Sequence, residues 1–343
     1  MEDVRGKRIF VGLSGGVDSS VTAALLKDAG AEVHGVFIKG WYPPTLSCTW
    51  REDRDDAMRV AAHLGIPFTT LDASSAYKTH VIDYLIEEYR KGRTPNPDIM
   101  CNRYVKFGAF FEFAHAHGAD RVATGHYARI HRGHVLRGVD PSKDQSYFLW
   151  DIRKEHVGHL CMPLGTYTKR EIRALAERYH LPTAHKRDSQ GICFLGSVSI
   201  DEFLAQELGT DTGPIVTSEG VAIGTHNSVH AYTIGERVKL SGETHAWYVV
   251  GKDLATSTLT VSHTPSTPEP RIKVPLSSLN LFGEDTDEAL TAQYRYHGPK
   301  VSGFLDRDNG LFTFTDAPKE ILAPGQSLVL YRGDTLIGGG IIE

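Results

Sequence analysis

The stretch Ser14-Gly15-Gly16-Val17-Asp18-Ser19-Ser20 limits what this chain can fold into more than any other part of the sequence. It follows an apolar run over residues 8–13 and precedes a helical pattern of apolar residues. A strand, a glycine-serine turn and a helix start form a cradle for anions, because backbone N–H groups and the helix dipole converge there. The alternative is a tight turn capped by serine and aspartate.

This loop differs from two common phosphate-binding motifs. It lacks the Gly-Lys-Ser/Thr ending of a Walker A loop and the Gly-x-Gly-x-x-Gly pattern of dinucleotide-binding folds. It resembles instead the pyrophosphate-binding loop of ATP pyrophosphatases, which cleave ATP between the α and β phosphates. That resemblance implies ATP as a substrate, with adenylation of a carbonyl oxygen followed by displacement of AMP.

Length and charge narrow the class of protein further. A chain of 343 residues is long enough for two or three domains. Residues 1–200 carry 27 Lys and Arg against 23 Asp and Glu, whereas residues 201–343 carry 10 against 19, which gives the net charge of −5. A positive N-terminal part suits a polyanionic ligand such as ATP or RNA, and a chance imbalance over solvated faces is the alternative.

The N-terminus and the hydropathy indicate a cytoplasmic protein. Met1-Glu2-Asp3 opens acidic and lacks the basic, apolar-cored pattern of a signal peptide. No apolar run approaches the roughly 18 residues needed to span a bilayer, so no membrane partner is expected.

The four cysteines, Cys48, Cys101, Cys161 and Cys193, form no Cys-x-x-Cys pair, and the 17 histidines show no metal-ligand spacing. We therefore expect neither a metal site nor a structural disulfide framework. Scattered cysteines are buried and inert by default, but Cys101 and Cys193 lie in unusual surroundings.

Alternating helical and strand patterns predict an α/β fold with a doubly wound parallel sheet, whose ligands bind at the carboxyl ends of the strands. The predicted domains are an ATP pyrophosphatase catalytic domain over 1–198, a small central domain over 199–268 and an all-β, barrel-like C-terminal domain over 269–343. The proline-containing stretch 264–270 is a predicted linker. Helices are predicted to end near 28 and to cover 52–64, 76–90, 105–117, 144–158, 168–179 and 200–208.

A second cluster covers Thr94-Pro95-Asn96-Pro97-Asp98-Ile99-Met100-Cys101-Asn102. Its two prolines predict a rigid loop rather than a helix. Asp98 lies three residues before Cys101 and could act on its proton or on a substrate proton, and Lys106 could favour a thiolate. A proline-rich structural loop with a bystander cysteine is the alternative.

A third cluster, residues 186–194, places Cys193 after a basic, glycine-containing turn. Such surroundings favour a low thiol pKa, so Cys101 and Cys193 suggest one chemical pair in which one carries an activated sulfur and the other resolves it. A buried cysteine beside Phe194 is the alternative. The polar head and aromatic residues of 143–148 suit either RNA stacking or a helix N-terminus with core aromatics.

Together these segments resemble the tRNA-specific 2-thiouridylase family (MnmA/TrmU type) of the ATP pyrophosphatase (PP-loop) superfamily, over essentially the whole chain and in the right order. The segments that carry the resemblance are SGGVDSS at 14–20, GRTPNPDIMCN at 92–102, VKFGAF at 105–110, ATGHYAR at 123–129, RGVDPSKDQSYFL at 137–149, KRDSQGICFLG at 186–196, WYVVGKD at 247–253 and PGQS at 324–327.

This resemblance implies ATP-dependent 2-thiolation of the wobble uridine, position 34, of tRNA, with release of AMP and pyrophosphate. It also implies a persulfide on Cys193, supplied by a sulfur-relay protein or a cysteine desulfurase, a Cys101–Cys193 disulfide at the end, and Asp98 as acid and base. Mg²⁺ is expected with ATP. The implied ATP-binding residues are Gly12, Leu13, Ser14, Gly15, Gly16, Val17, Asp18, Ser19, Ile38 and Gly125. The implied tRNA-binding residues are Asn96, Pro97, Asp98, His126, Lys143, Asp144, Gln145, Arg295, Tyr296 and Gln326.

The sequence departs from the family pattern in two places, a central segment expected to bind tRNA and one polar residue. The central region usually carries a basic Gly-Gln-Arg-Lys-Gly-rich segment, which here is shortened and reads Gly235-Glu236-Arg237-Val238-Lys239-Leu240. Gln190 stands where the family commonly has Thr. Two rival functions are an ATP pyrophosphatase acting on a small molecule, and a non-catalytic nucleotide- or RNA-binding relative. Neither explains the Asp98, Cys101 and Cys193 set as well.

Overall fold

The computed structural model describes residues 3–43, 50–188, 198–240, 245–264, 272–283 and 288–343. The chain forms two compact units. The first contains residues 1–81, 98–196 and 332–337, and the second contains 82–97, 197–331 and 338–343.

The first unit is built on a parallel five-stranded sheet with the order β3-β2-β1-β4-β7. Its strands, together with the hairpin β5–β6, are β1 (Arg8–Gly12), β2 (Glu32–Lys39), β3 (Phe68–Asp72), β4 (Arg121–Ala123), β5 (Ala128–His131), β6 (His134–Arg137) and β7 (Leu160–Cys161). The order reverses at β1, so the carboxyl ends of β1 and β4 form a switch point, which is where ligands bind in such sheets.

Nine α-helices occur in the described part of the chain. They are α1 (Val17–Asp28), α2 (Trp50–Leu64), α3 (Ser74–Tyr77), α4 (Asp83–Arg90), α5 (Pro97–Met100), α6 (Phe110–Ala116), α7 (Lys154–Val157), α8 (Lys169–Arg178) and α9 (Ile200–Leu208). Two π-helical segments, Lys78–Ile82 and Cys101–Ala109, join α3 to α4 and α5 to α6. None of these helices is long and apolar enough to cross a membrane.

The core of the first unit lies on both sides of α1. On one side Ala23 and Leu26 pack with Val11 of β1 and Ala57 of α2. On the other side Val21, Ala24 and Leu25 pack with residues of α8, including Ile172 and Ala176. Because α1 is apolar on both sides, its first turn is fixed against the sheet, α2 and α8 together.

The second unit contains an open sheet with the order β10-β11-β12-β8-β9 and a closed barrel. The barrel order is β13-β16-β15-β14-β17-β18, and pairing of β13 with β18 closes it. The strands are β8 (Gly213–Thr217), β9 (Ala222–His226), β10 (Arg237–Val238), β11 (Trp247–Asp253), β12 (Thr258–Ser262), β13 (Lys273–Leu281), β14 (Leu290–Gln293), β15 (Lys300–Asp306), β16 (Leu311–Phe314), β17 (Ser327–Arg332) and β18 (Thr335–Ile342).

The predicted fold class is confirmed, since a parallel sheet with helices precedes an antiparallel barrel. The three-domain division at 198 and 268 stays a prediction. The predicted linker lies outside the described residues except for Thr264.

Two predicted elements are wrong. The helix expected over 144–158 is instead a 3₁₀ turn at Ser146–Leu149 and the short α7. Asp144 accepts hydrogen bonds from the backbone N–H groups of Gly138 and Ser146, so this residue holds a turn instead of starting a long helix. The rigid loop expected over 94–102 becomes helical at Pro97, because a proline at the first helical position needs no hydrogen bond from its nitrogen.

Candidate active site

The glycine-serine loop lies at the carboxyl end of β1 and leads directly into α1. Gly15 has φ +75°, a left-handed conformation that favours glycine, and a Cβ there would collide with the backbone carbonyl of Asp53 in α2. The first-turn N–H groups of α1 have no partner within the helix, and the N-cap residue Gly16 makes no side-chain cap. These N–H groups and the helix dipole therefore suit a phosphate.

Serine hydroxyls fix the shape of this loop. Ser19 Oγ accepts from the backbone N–H of Ser14 at 3.2 Å and donates to the Gly16 carbonyl at 3.2 Å. Ser20 Oγ donates to the same carbonyl at 2.7 Å. Both hydroxyls therefore hold the loop in shape and leave its backbone N–H groups as the donors that suit an anion.

Gly12, Gly125 and Ile38, which the family resemblance implies for ATP binding, lie near the loop, and their role in ATP binding stays a prediction. A Cβ on Gly125, just after β4, would lie 2.9 Å from the backbone nitrogen of Ser19. A Cβ on Gly12 would lie 3.4 Å from Phe110 Cε1 and 3.6 Å from Ile38 Cδ1. The two glycines leave the approach to α1 open, and Ile38 and Phe110 supply an apolar flank.

Asp18, in the first turn of α1, belongs to a network of charges. Its Oδ1 accepts from the Tyr127 hydroxyl at 2.9 Å and from Lys169 Nζ at 2.7 Å. Lys169 also lies 2.9 Å from Asp188 Oδ1, and Arg173 donates to the same oxygen. Burial raises the pKa of Tyr127, and the Asp18 carboxylate raises it further, so the phenol stays a donor at all ordinary pH values.

The pKa of Asp188 lies below its ordinary value. Burial opposes the charged form, but the hydrogen bond and the charge of Lys169, with the charges of Arg173 and Lys143, outweigh burial. Asp188 is therefore a carboxylate at neutral pH. Two residues earlier, Lys186 pairs with Asp53 and Asp56 of α2, at 2.8 Å from each.

The helical segment that starts at Pro97 carries the predicted acid-base residue and one predicted sulfur residue. Asp98 is half-buried, and burial raises its pKa while the charge of Lys106 opposes the rise. Cys101 is buried at the start of the π-helical segment. The same segment packs Phe107 against His126, with ring centroids 5.7 Å apart, and it continues to Phe110 beside Gly12.

His126 is buried, with 7% of its surface exposed, and its Nδ1 lies 2.7 Å from the Thr124 hydroxyl. Burial lowers the pKa of its imidazole well below the ordinary value, and the charge of Lys106 lowers it further, so the ring is neutral at pH 7. Its role in tRNA binding stays a prediction.

The other predicted tRNA-binding residues of the first unit have structural partners. Asp144 is buried and pairs with Arg137 at 3.2 Å, and Gln145 Oε1 accepts from the backbone N–H of Tyr127 at 3.0 Å. Lys143 is half-buried and its Nζ lies 3.6 Å from Asp188 Oδ2. Asp144 and Gln145 therefore fix the loop that presents Lys143.

The remaining predicted tRNA-binding residues belong to the second unit. Arg295 donates to the Ile321 carbonyl at 3.1 Å, and exposed Tyr296 stacks on His297. Gln326 Nε2 donates to the Thr94 carbonyl at 2.9 Å. Asn96 and Pro97 are half-buried.

The predicted sulfur-carrying Cys193, and Gln190, lie outside the described residues. Within the described ranges, no group of three His, Cys, Asp or Glu side chains could hold a metal ion.

Sequence reasoning missed Lys169, Tyr127 and Arg173. A signal exists for Lys169, because Thr168 and Glu171 form a capping box that starts α8 at this lysine. Its contact with Asp18, 151 positions away, depends on how α8 packs against α1 and has no counterpart in local sequence.

A parallel sheet with a glycine-serine loop after its first strand, leading into a helix, is typical of a nucleotide-binding α/β domain. Residues 7–197 match the family described as tRNA methyl transferase HUP domain, 201–263 its PRC-barrel domain, and 273–342 the aminomethyltransferase β-barrel domain. The chain belongs to the tRNA-specific 2-thiouridylase family.

Two curated relatives carry that family's name. The tRNA-specific 2-thiouridylase MnmA of Staphylococcus aureus is 42% identical over 98% of this chain and 95% of its own length. That of Staphylococcus saprophyticus is 41% identical over the same shares. A solved 4-thiouridine synthetase–RNA complex with bound ATP is 23% identical to this chain, with a TM-score of 0.36 over 59% of this chain and 50% of its own.

Proposed function

We propose that this protein is a tRNA-uridine 2-sulfurtransferase that uses ATP to replace the 2-oxygen of a tRNA uridine, at wobble position 34, by sulfur. Its relatives at 41–42% identity are tRNA-specific 2-thiouridylases, and the match covers 98% of this chain. The observation that carries the proposal is that one continuous helical segment bears Asp98 and Cys101 and also packs Phe110 beside Gly12 of the phosphate cradle.

The first step of the proposed reaction activates the base. The uridine 2-oxygen attacks the α phosphorus of ATP, the α–β bond breaks and pyrophosphate leaves. Asp98 accepts the N3 proton of the base as this happens, a role favoured by its raised pKa. The N–H groups of the loop over Gly12–Ser19 stabilise the charge on the transferring phosphoryl group, while Ile38 and Gly125 flank the adenosine.

The second step exchanges AMP for sulfur. The outer sulfur of a Cys193 persulfide attacks C2, and AMP leaves with the former 2-oxygen. The Cys101 thiolate then attacks Cys193 Sγ and the sulfur–sulfur bond breaks. The outer sulfur stays on C2 as a thiocarbonyl and Asp98 returns the proton. A Cys101–Cys193 disulfide remains, which a thiol reductant must reopen.

This route needs a sulfur supply and a base that leaves its stack. We propose a persulfide-relay protein or a cysteine desulfurase as the sulfur donor. The base lies among Asn96, Pro97 and Asp98, because a rigid helix start offers a fixed wall to an extruded nucleotide. The proposed tRNA contacts are His126, Lys143, Asp144, Gln145, Arg295, Tyr296 and Gln326.

Mg²⁺ would arrive on the phosphates of ATP, with Asp18 as the carboxylate nearest the loop. Asp18 Oδ1 already accepts two hydrogen bonds, from Tyr127 and Lys169, so Oδ2 is the oxygen that suits the ion. The ion would neutralise charge on the phosphates, and the residues of the chain would orient them.

The test is incubation of the protein with unmodified tRNA, ATP and a persulfide donor, followed by digestion and mass spectrometry of nucleosides. We expect 2-thiouridine with the wild-type protein and with Cys161→Ala, a cysteine in β7 without a proposed role. Cys193→Ala should give none. Undiminished product from Cys193→Ala would overturn the sulfur step. Pyrophosphate release at the same rate with and without tRNA would favour a small-molecule substrate.

A further inference from the structure

The phosphate loop lacks a positive charge of its own. Between Ser14 and Ser20 the sequence contains Asp18 and neither Lys nor Arg. An enzyme that splits a triphosphate needs positive charge beside the transferring group, because charge builds up on the phosphoryl oxygens. Helix N–H groups supply part of it, as partial charges. Besides the Mg²⁺ that would arrive with ATP, a positively charged side chain beside the phosphates must come from elsewhere in the fold.

Lys169 is positioned to supply this charge. Thr168 caps α8 so that Lys169 is its first residue, and α8 packs against α1 through Ile172 and Ala176. The Lys169 ammonium lies 2.7 Å from Asp18 Oδ1, inside the first turn of α1. Its side chain is only 16% exposed, so solvent screens its charge weakly.

The surroundings of Lys169 hold its ammonium between two carboxylates. Asp188 contacts it at 2.9 Å and is itself held by Arg173. The phenol of Tyr127 donates to the oxygen of Asp18 that Lys169 also contacts. An incoming triphosphate therefore meets an ammonium that is already oriented, at little cost in side-chain entropy.

We propose that Lys169 is a phosphate-binding residue of the ATP site, held in place by Asp18 and Asp188. The proposal rests on the proposed function, which supplies ATP as the ligand. A structural ion pair between α8 and α1 is the alternative, and the two differ in which ligand depends on the side chain. Loss of a structural ion pair would disturb the whole nucleotide site, whereas loss of a phosphate-binding charge would weaken the binding of phosphates alone.

Lys169→Gln keeps an N–H donor and loses the charge, and the comparison of a ligand with phosphates and one without them separates the two roles. Binding of α,β-methylene-ATP, which resists cleavage at the α–β bond, is measured by calorimetry, with adenosine as the phosphate-free comparison. We expect Lys169→Gln to weaken binding of the analogue roughly 10- to 100-fold and to leave adenosine binding unchanged. Lys169→Arg should restore most of the loss. Arg170→Ala, an exposed neighbour in α8, is the matched control and should bind like wild type.

Four results bear on the outcome. Analogue binding by Lys169→Gln within twofold of wild type overturns the proposal, and so does an equal loss of adenosine binding, which would mark a structural role. If wild type binds the analogue but makes no 2-thiouridine, the proposed function fails and the assignment of Lys169 stands. If wild type does not bind the analogue, both fall.

Discussion

Gly125 offers the sharpest test of the phosphate cradle, because a single methyl group there would reach the first turn of α1. An added Cβ would lie 2.9 Å from Ser19 N and 3.1 Å from the Asp18 carbonyl carbon. Gly125 is not among the glycines with positive φ, so alanine fits its backbone and the effect of Gly125→Ala is steric.

The magnitude follows from the overlap. Heavy atoms that are not bonded pack without repulsion from about 3.5 Å, so α1 or the turn at Gly125 must move by roughly half an ångström. Overpacking of this kind costs about 1–3 kcal/mol. The displaced N–H groups are the ones proposed to bind phosphate. If the cost falls on the bound state, affinity for α,β-methylene-ATP drops about 5- to 150-fold, since about 1.4 kcal/mol corresponds to tenfold.

The assay is calorimetric binding of that analogue, with thermal unfolding recorded for each variant. Gly158→Ala is the matched control, because no heavy atom lies within 4 Å of its Cβ position and its φ of −64° suits alanine. If Gly125→Ala binds the analogue as wild type does, with an unchanged melting temperature, then the cradle does not depend on the open face at Gly125 and our reasoning is refuted.

Two further predictions concern stability. Gly15→Ala should lower the free energy of unfolding, measured by urea unfolding, by about 2 kcal/mol or more. The added Cβ would collide with the Asp53 carbonyl, and residue 15 has a left-handed φ of +75° that disfavours alanine. A loss below about 0.5 kcal/mol would contradict the geometry of the loop. Asp98→Asn should unfold at higher urea than wild type at pH 7 and at equal urea below about pH 4. Burial raises the pKa of Asp98 in the folded state, so the wild type loses stability as pH rises through the unfolded pKa of about 3.9; a lower midpoint for the variant at pH 7 would count against this.

Local sequence patterns predicted much of the fold. The apolar run before the glycine-serine loop became β1, and the spacing after it became α1, ending at Asp28 as expected. Sequence patterns predicted the wrong element where a side-chain hydrogen bond to the backbone set the local conformation. Asp144 looked like the start of a helix, yet its carboxylate holds Gly138 and Arg137 in a turn. The two prolines at 95 and 97 looked like a loop, yet Pro97 starts a helix.

In the candidate site, too, some features could be predicted from local sequence and others could not. The glycine-serine loop at Gly15 and Gly16 could be recognised from local sequence, whereas Gly12 and Gly125 were implied by the family resemblance. The neutral state of His126 could not be read from sequence, since it comes from burial and from the charge of Lys106.

By itself, the sequence determined the class of chemistry. A glycine-serine loop at a strand end suits a phosphate because its N–H groups are local, and Asp98 lies near Cys101 because they are only three positions apart in the chain. The tertiary structure decided which charged side chains lie beside the loop. Asp18, Lys169 and Asp188 meet only because α8 packs on α1, and this packing depends on apolar contacts between residues more than a hundred positions apart. Electrostatic interactions act through space, so local sequence could not predict the partner of Asp18.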